Sequence, residues 1–299
     1  MEEEIAIQEI DIGSVIIDTI NNLCQSLFSS INKDIFPLLD KVVFIKKDIA
    51  TSHLERILGT DPKTGLLVLA NALLAAFVIY YSVRLFMSSY SGEGVESPHK
   101  FFLRLFLVAI FMNFSLTICT YIIGATSDIT TFICSLGKNI FGKGVEVSFS
   151  SLMDTFAFQA GDKVNVFSLN GILSGMLSIS SFTLIVSFAL RYIVIKVLIL
   201  LSPFAILCLI NQPTTGLFKS WFKCFLSLLL LQIFISLVLL LSYAIIKETN
   251  VSPFRELLLV GTIMALLKSN EYVRELMGGL NITSNFSTGM AGLKSMFTR

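Results

Sequence analysis

One stretch of this chain, Ile172 to Ile210, restricts its fold more than any other. It is almost wholly apolar, yet Arg191 and Lys196 interrupt it and Leu201-Ser202-Pro203 breaks its helical character near the end. A continuous helix of that length would reach about 58 Å, against about 30 Å for a hydrocarbon core. A hairpin with Arg191 at its tip would need a turn, but Val186 to Val197 holds no Gly, Pro, Asn or Asp. The pattern therefore predicts one crossing helix, 172–201, that continues past the membrane boundary until Pro203 stops it. Arg191 is expected near one face, where its guanidinium can snorkel to water. Ser202, preceding a proline, is biased away from helix. Pro203 to Ile210 is too short to span and is expected to be re-entrant, interfacial or buried against another subunit.

The rest of the chain agrees with a membrane setting. Only 14% of its residues are charged, and its mean hydropathy is +0.80. Soluble domains carry about 25% charged residues. A net charge of +1 gives no global attraction for nucleic acid. Met1-Glu2-Glu3-Glu4 is acidic where a secretory signal needs a basic start. The five cysteines form no C-x-x-C pair, and only His53 and His99 could supplement them. Neither a metal site nor a complete disulfide framework is expected.

Five spans are predicted, at about 66–87, 102–124, 172–201, 225–246 and 254–268, within a transmembrane domain covering 65–268. The fifth is short and could instead lie in the interface. Residues 1–64 hold eleven acids and six Lys or Arg but no span. Within them Ile16, Ile20, Leu23, Leu27 and Ile31 recur at helical spacing, the mark of an amphipathic helix with Ser14 as its N-cap. A second apolar-rich stretch, 35–49, follows. This N-terminal region could lie in the membrane interface, pack on partner helices or cap the membrane domain. Residues 125–171 are rich in Gly, Ser and Thr and are predicted as a long loop with short helices at 128–136 and 150–158. Residues 269–299, with Gly278 and Gly279, are predicted as a flexible cytoplasmic tail. The fold class is therefore all-α: a polytopic membrane protein with an amphipathic helical N-terminal region.

Several polar residues stand out against this background. Asn71 and Asn113 interrupt the first two spans and are expected to hydrogen-bond across helices. Trp221 lies between Lys219 and Lys223 just before an apolar run, the composition of an interface anchor. Arg191, Lys196, Lys219 and Lys223 bracket the Pro203 break. Positive-inside topology accounts for them, and contact with acidic partners, lipid phosphates or a translocated polyanion is the functional alternative. Placing most Lys and Arg on the inner side puts the N-terminus outside and the C-terminus inside.

The sequence lacks the groups most chemistries need. No acid occurs between Asp162 and Glu248, and the first two predicted spans carry none. Cation-coupled transporters usually rely on intramembrane carboxylates or His. There is no G-x-x-x-x-G-K-S/T loop, no H-E-x-x-H and no G-x-S-x-G elbow. No enzyme is expected, and no cofactor.

Arg191-Tyr-Ile-Val-Ile-Lys196, leading into Leu200-Leu-Ser-Pro-Phe-Ala205, resembles the central signature of TrbL-type polytopic proteins of the bacterial cytoplasmic membrane. Leu217-Phe-Lys-Ser-Trp-Phe-Lys223 and the order of parts, ending near Met277-Gly-Gly279, are also similar to that family. The resemblance implies a non-enzymatic multi-pass subunit of a type IV secretion or conjugation complex. It further implies self-association, contact with the machine's ATPase and channel components, and proximity to translocated DNA or protein. A stand-alone small-molecule or ion transporter is the competing expectation. It predicts inverted repeats, and 65–124 shows no convincing likeness to 172–267.

Overall fold

The computed structural model describes residues 19–23, 26, 37–45, 54–59, 65–91, 97–141, 147–151, 169–248 and 252–276. Among them there is no strand. The elements are α1 (Leu54–Leu58), α2 (Leu66–Ser91), α3 (Pro98–Asn113), α4 (Ser115–Phe141), α5 (Leu169–Leu207), α6 (Thr215–Glu248) and α7 (Ser252–Leu276). Four of these, α2, α4, α5 and α6, contain segments long and apolar enough to cross a membrane. The fifth long helix, α7, packs along α5 and α6. Residues 37–43 form a further short helical stretch.

The helices form two packed groups. In the main bundle, Leu184 and Phe188 of α5 meet Leu231, Ile235 and Leu239 of α6 and Leu259, Ile263 and Leu266 of α7. Cys119 and Ile123 of α4 join Ile195, Ile199, Phe225 and Leu229. The second group is the α2–α3 pair, in which Tyr81 stacks on Phe101 with ring centroids 3.6 Å apart. Ala70, Val108 and Met112 of this pair bury against Ile206, Leu207 and Ile210. The guanidinium of Arg104 also donates to Ile210 O at 3.1 Å. The α2–α3 pair thus seats on the C-terminal end of α5. Gly65, with φ +119°, leads into α2 so closely against Leu58 O that no Cβ would fit.

Several expectations change. Pro203 does not end α5; it lies inside a helix of 39 residues that runs to Leu207. Proline removes the amide that would bond Ile199 O. Ser202 Oγ supplies the missing donor, reaching Ile199 O at 2.7 Å, so the helix passes through. The apolar piece after Pro203 is buried within this chain, against α2 and α3, rather than against another subunit. The long loop 125–171 is a helix as far as Phe141, and the second span divides into α3 and α4 around Phe114. Thr120, Thr126, Thr130 and Thr131 each donate a hydroxyl to the carbonyl four residues back. A helix can carry such residues because their hydroxyls find partners on its own turns. Asp128 therefore lies within a membrane-length helix, where the sequence reading placed no acid. At the other end, α7 continues to Leu276, beyond the predicted start of the tail.

The N-terminal region also differs from a cap lying outside the bundle. Leu39, Val43 and Ile45 are fully buried in the two main clusters. Residues 19–23 are helical, as the periodicity predicts, but Ile20 and Leu23 are exposed. The remainder of the predicted amphipathic helix lies outside the described residues.

Candidate functional site

A polar seam runs through the middle of this apolar bundle. At its centre is Arg191 of α5, only 5% exposed. Its Nε donates to Leu228 O of α6 at 2.9 Å, and its Nη1 donates to Val43 O at 3.5 Å. Among the described residues Nη2 has no hydrogen-bond partner. One turn along α6 from Leu228, the Gln232 Nε2 donates to Ile45 O at 3.5 Å, and its Oε1 has no partner among the described residues. The carbonyls of Val43 and Ile45 lie at the C-terminal end of the 37–43 helix. Such carbonyls lack intrahelical partners, and a cation there meets the negative end of the helix dipole. Arg191 and Gln232 therefore clamp the N-terminal segment into the bundle.

Asp40 fixes the other side of that segment. Its carboxylate accepts from Phe149 N at 2.8 Å, Ser150 N at 3.2 Å and Ser150 Oγ at 2.6 Å. Between these anchors and α4 lies a cavity of about 460 Å³, whose polar lining includes Asp40, Ser127, Thr130, Thr131, Lys138 and Gln232. The Thr130 and Thr131 hydroxyls donate within α4, to Thr126 O and Ser127 O, so their oxygens retain accepting lone pairs. The cavity suits water or a hydrogen-bonding solute. Among the described residues no three His, Cys, Asp or Glu side chains gather as metal ligands.

This bundle also matches a known family. Residues 74–287 match the TrbL/VirB6 plasmid conjugal transfer proteins, and that match covers more than half of the chain. The chain belongs to the TrbL/VirB6 family. Comparison with curated proteins gives no match. The family match takes in most of α2 and all of α3 to α7, whereas the clamped segment 37–45 precedes it. In this TrbL/VirB6 chain, then, the Arg191–Gln232 clamp joins the family's helices to a segment outside the match.

The structure sorts the residues singled out by sequence. Arg191 does not snorkel, because backbone carbonyls of α6 and the N-terminal segment hold it inside. Lys196 lies 4.5 Å from the ring centroid of Tyr192, a cation–π contact on its own helix. Lys219 and Lys223 are exposed, and Pro203 is buried. Trp221 is half-buried; its Nε1 donates to Leu198 O at 3.1 Å, and its ring stacks on Phe225 with centroids 5.6 Å apart. It ties α6 to α5 as well as marking the start of an apolar run. Asn113 does not reach across helices; its Nδ2 donates to Ala109 O of its own helix at 2.8 Å. Asn71 is exposed on α2. Gly278 and Gly279 lie outside the described residues. The sequence reading missed Gln232, Asp40 and Asp128. Gln232 did leave a signal, as the one amide or charged residue between Phe225 and Ile246.

Proposed function

We propose that this chain is a non-enzymatic subunit of the membrane channel, or of its scaffold, in a conjugation-type secretion complex. The observation that carries the reading is the extent of the family match, which covers nearly the whole helical bundle. The polar seam supports a structural role, since Arg191 and Gln232 spend their hydrogen bonds on backbone carbonyls. Self-association and contact with the machine's ATPase and channel components belong to the same reading, as does passage of DNA or protein beside the chain.

We also propose an outside N-terminus and an inside C-terminus, with α7 as a fifth crossing. The Arg104–Ile210 bond supports the inside C-terminus, because it brings Arg104 of α3 to the same end of α5 as Lys219 and Lys223.

The test is an in-frame deletion of the gene in a donor strain, complemented in trans, followed by mild detergent extraction. Transfer should fall to background in the deletion and return on complementation. The extracted chain should co-purify with the secretion ATPase. A lone monomer that catalyses solute uptake in vesicles would overturn the proposal in favour of a transporter.

A further inference from the structure

Among the four candidate spans, α4 is the least apolar, with a mean hydropathy of 1.3 against 2.2 to 2.8 for the others. It also holds their only acid, Asp128. Its side chains divide into three faces. Cys119, Ile123, Thr126, Thr130, Ile133 and Gly137 are buried in the bundle. Ile129, Phe132 and Ile140 are exposed and apolar, as a lipid-facing surface should be. Between these lies a third face carrying Tyr121, Gly124, Asp128, Thr131, Ser135 and Lys138, spaced alternately by three and four residues. At 3.6 residues per turn they fall within an arc of about 100°. Tyr121, Asp128, Thr131 and Lys138 on this face are exposed, and Gly124 and Ser135 are partly so.

Lipid is a poor neighbour for such a face, because the carboxylate of Asp128, midway along the helix, would lose its water there. Beyond its first turns the outward surface of α6 is different: Leu237, Leu241 and Ile245 are exposed there, and residues 224–245 carry no charge. A second observation points the same way. The 460 Å³ cavity borders the polar face, and Thr131 and Lys138 belong to both. Gln232, 1% exposed, lines the same cavity, and its Oε1 has no partner among the described residues. Reversing its amide would set Oε1 against Ile45 O, so the hydrogen bond to Ile45 fixes the observed orientation.

We propose that the polar face of α4 is the water-facing wall of a passage through the membrane, along which hydrated polar cargo moves. The inference rests on the channel-subunit reading and assigns the lining to one helix. Asp128 and Lys138 face the water of this passage, and the cavity forms a recess beside the path.

Single cysteines at Asp128, Thr131 and Ser135, and at Leu237 and Leu241 as lipid-facing controls, test this in donor cells carrying the assembled machine. The probe is a membrane-impermeant cationic methanethiosulfonate, read above the label taken by the five native cysteines. Thiolate forms in water and not in lipid, so the α4 positions should label at least about tenfold faster than the α6 controls. Equal, slow labelling of both sets while the deletion still abolishes transfer would overturn the α4 assignment alone. Fast α4 labelling with transfer unaffected by the deletion would uphold the water-facing helix and remove the conjugation role instead.

Discussion

Arg191 shows how one side chain can take a different role from the one its position suggests. A cation near the end of an apolar run ordinarily reaches for water. Here the end of the 37–43 helix offers carbonyls inside the bundle, and the guanidinium spends two of its donors on Val43 O and Leu228 O. One nitrogen has no partner among the described residues, an unfavourable feature in an apolar interior. Exchanging both partners of a buried polar contact for apolar groups is often neutral, but Arg191→Met removes only the donor and leaves Val43 O buried without it. Arg191→Met should therefore lower the thermal midpoint in detergent, at a cost of about 1–3 kcal/mol. Arg191→Ala, which leaves a cavity, should lower stability by roughly 2 kcal/mol or more. An unchanged midpoint for the methionine variant would show that the packing, not the hydrogen bonds, holds the segment. Ser202 makes a narrower case. Its Oγ satisfies Ile199 O in place of the amide Pro203 lacks. Ser202→Ala should lower stability by about 1–2 kcal/mol, whereas Pro203→Ala restores the backbone donor and should suppress that loss in the double variant. Thermal unfolding of the two single variants and the double measures the coupling.

At the scale of elements, α4 depends on close packing at one point. A Cβ on Gly137 would collide with Val147 and press on Leu240 of α6. Gly137→Leu should therefore part α4 from α6 and cost about 1–3 kcal/mol, or more if the helix cannot shift. A smaller yield of monodisperse protein in gel filtration, beside an unaffected Gly216→Leu control in open space, checks it. The same helix shows where sequence reading falls short. Its Thr and Ser residues have the composition of a loop, and only the back-bonding of their hydroxyls to earlier carbonyls lets a helix carry them at this density. The apolar cores of α2, α5 and α6 were legible because lipid demands long apolar runs. The fate of Pro203 was not, since its tolerance depends on the rotamer of the preceding serine. Nor was the insertion of 37–45, because residues such as Leu39 and Val43 give the same pattern whether they face lipid, a partner or this bundle. Of the seam, Arg191 was conspicuous from sequence and Gln232 could have been. Asp40 could not, as its partners lie more than a hundred residues away.

For the whole molecule, the packing of α4 along α5 and α6 fixes which charges share an end. Cys119, near the start of α4, clusters with Ile199 and Phe225, close to where α5 ends and α6 begins. At the far end, Phe141 of α4 packs on Tyr243 of α6 with centroids 5.0 Å apart. Trp221 bonded to Leu198 and Arg191 bonded to Leu228 show α5 and α6 running antiparallel along this length. Lys138 is therefore at the opposite end of the bundle from Lys219, and both are exposed. A helix rises 1.5 Å per residue, so α6 from Lys219 to Tyr243 covers about 36 Å, enough to cross the hydrocarbon layer. If the bundle crosses in the proposed sense, an impermeant thiol reagent added to intact cells should label Lys138→Cys and spare Lys219→Cys. Inverted membrane vesicles should give the reverse. Labelling of Lys219→Cys from outside, with Lys138→Cys silent, would keep the bundle and turn it over. Labelling of both from one side would mean that α4 and α6 do not cross between these two lysines.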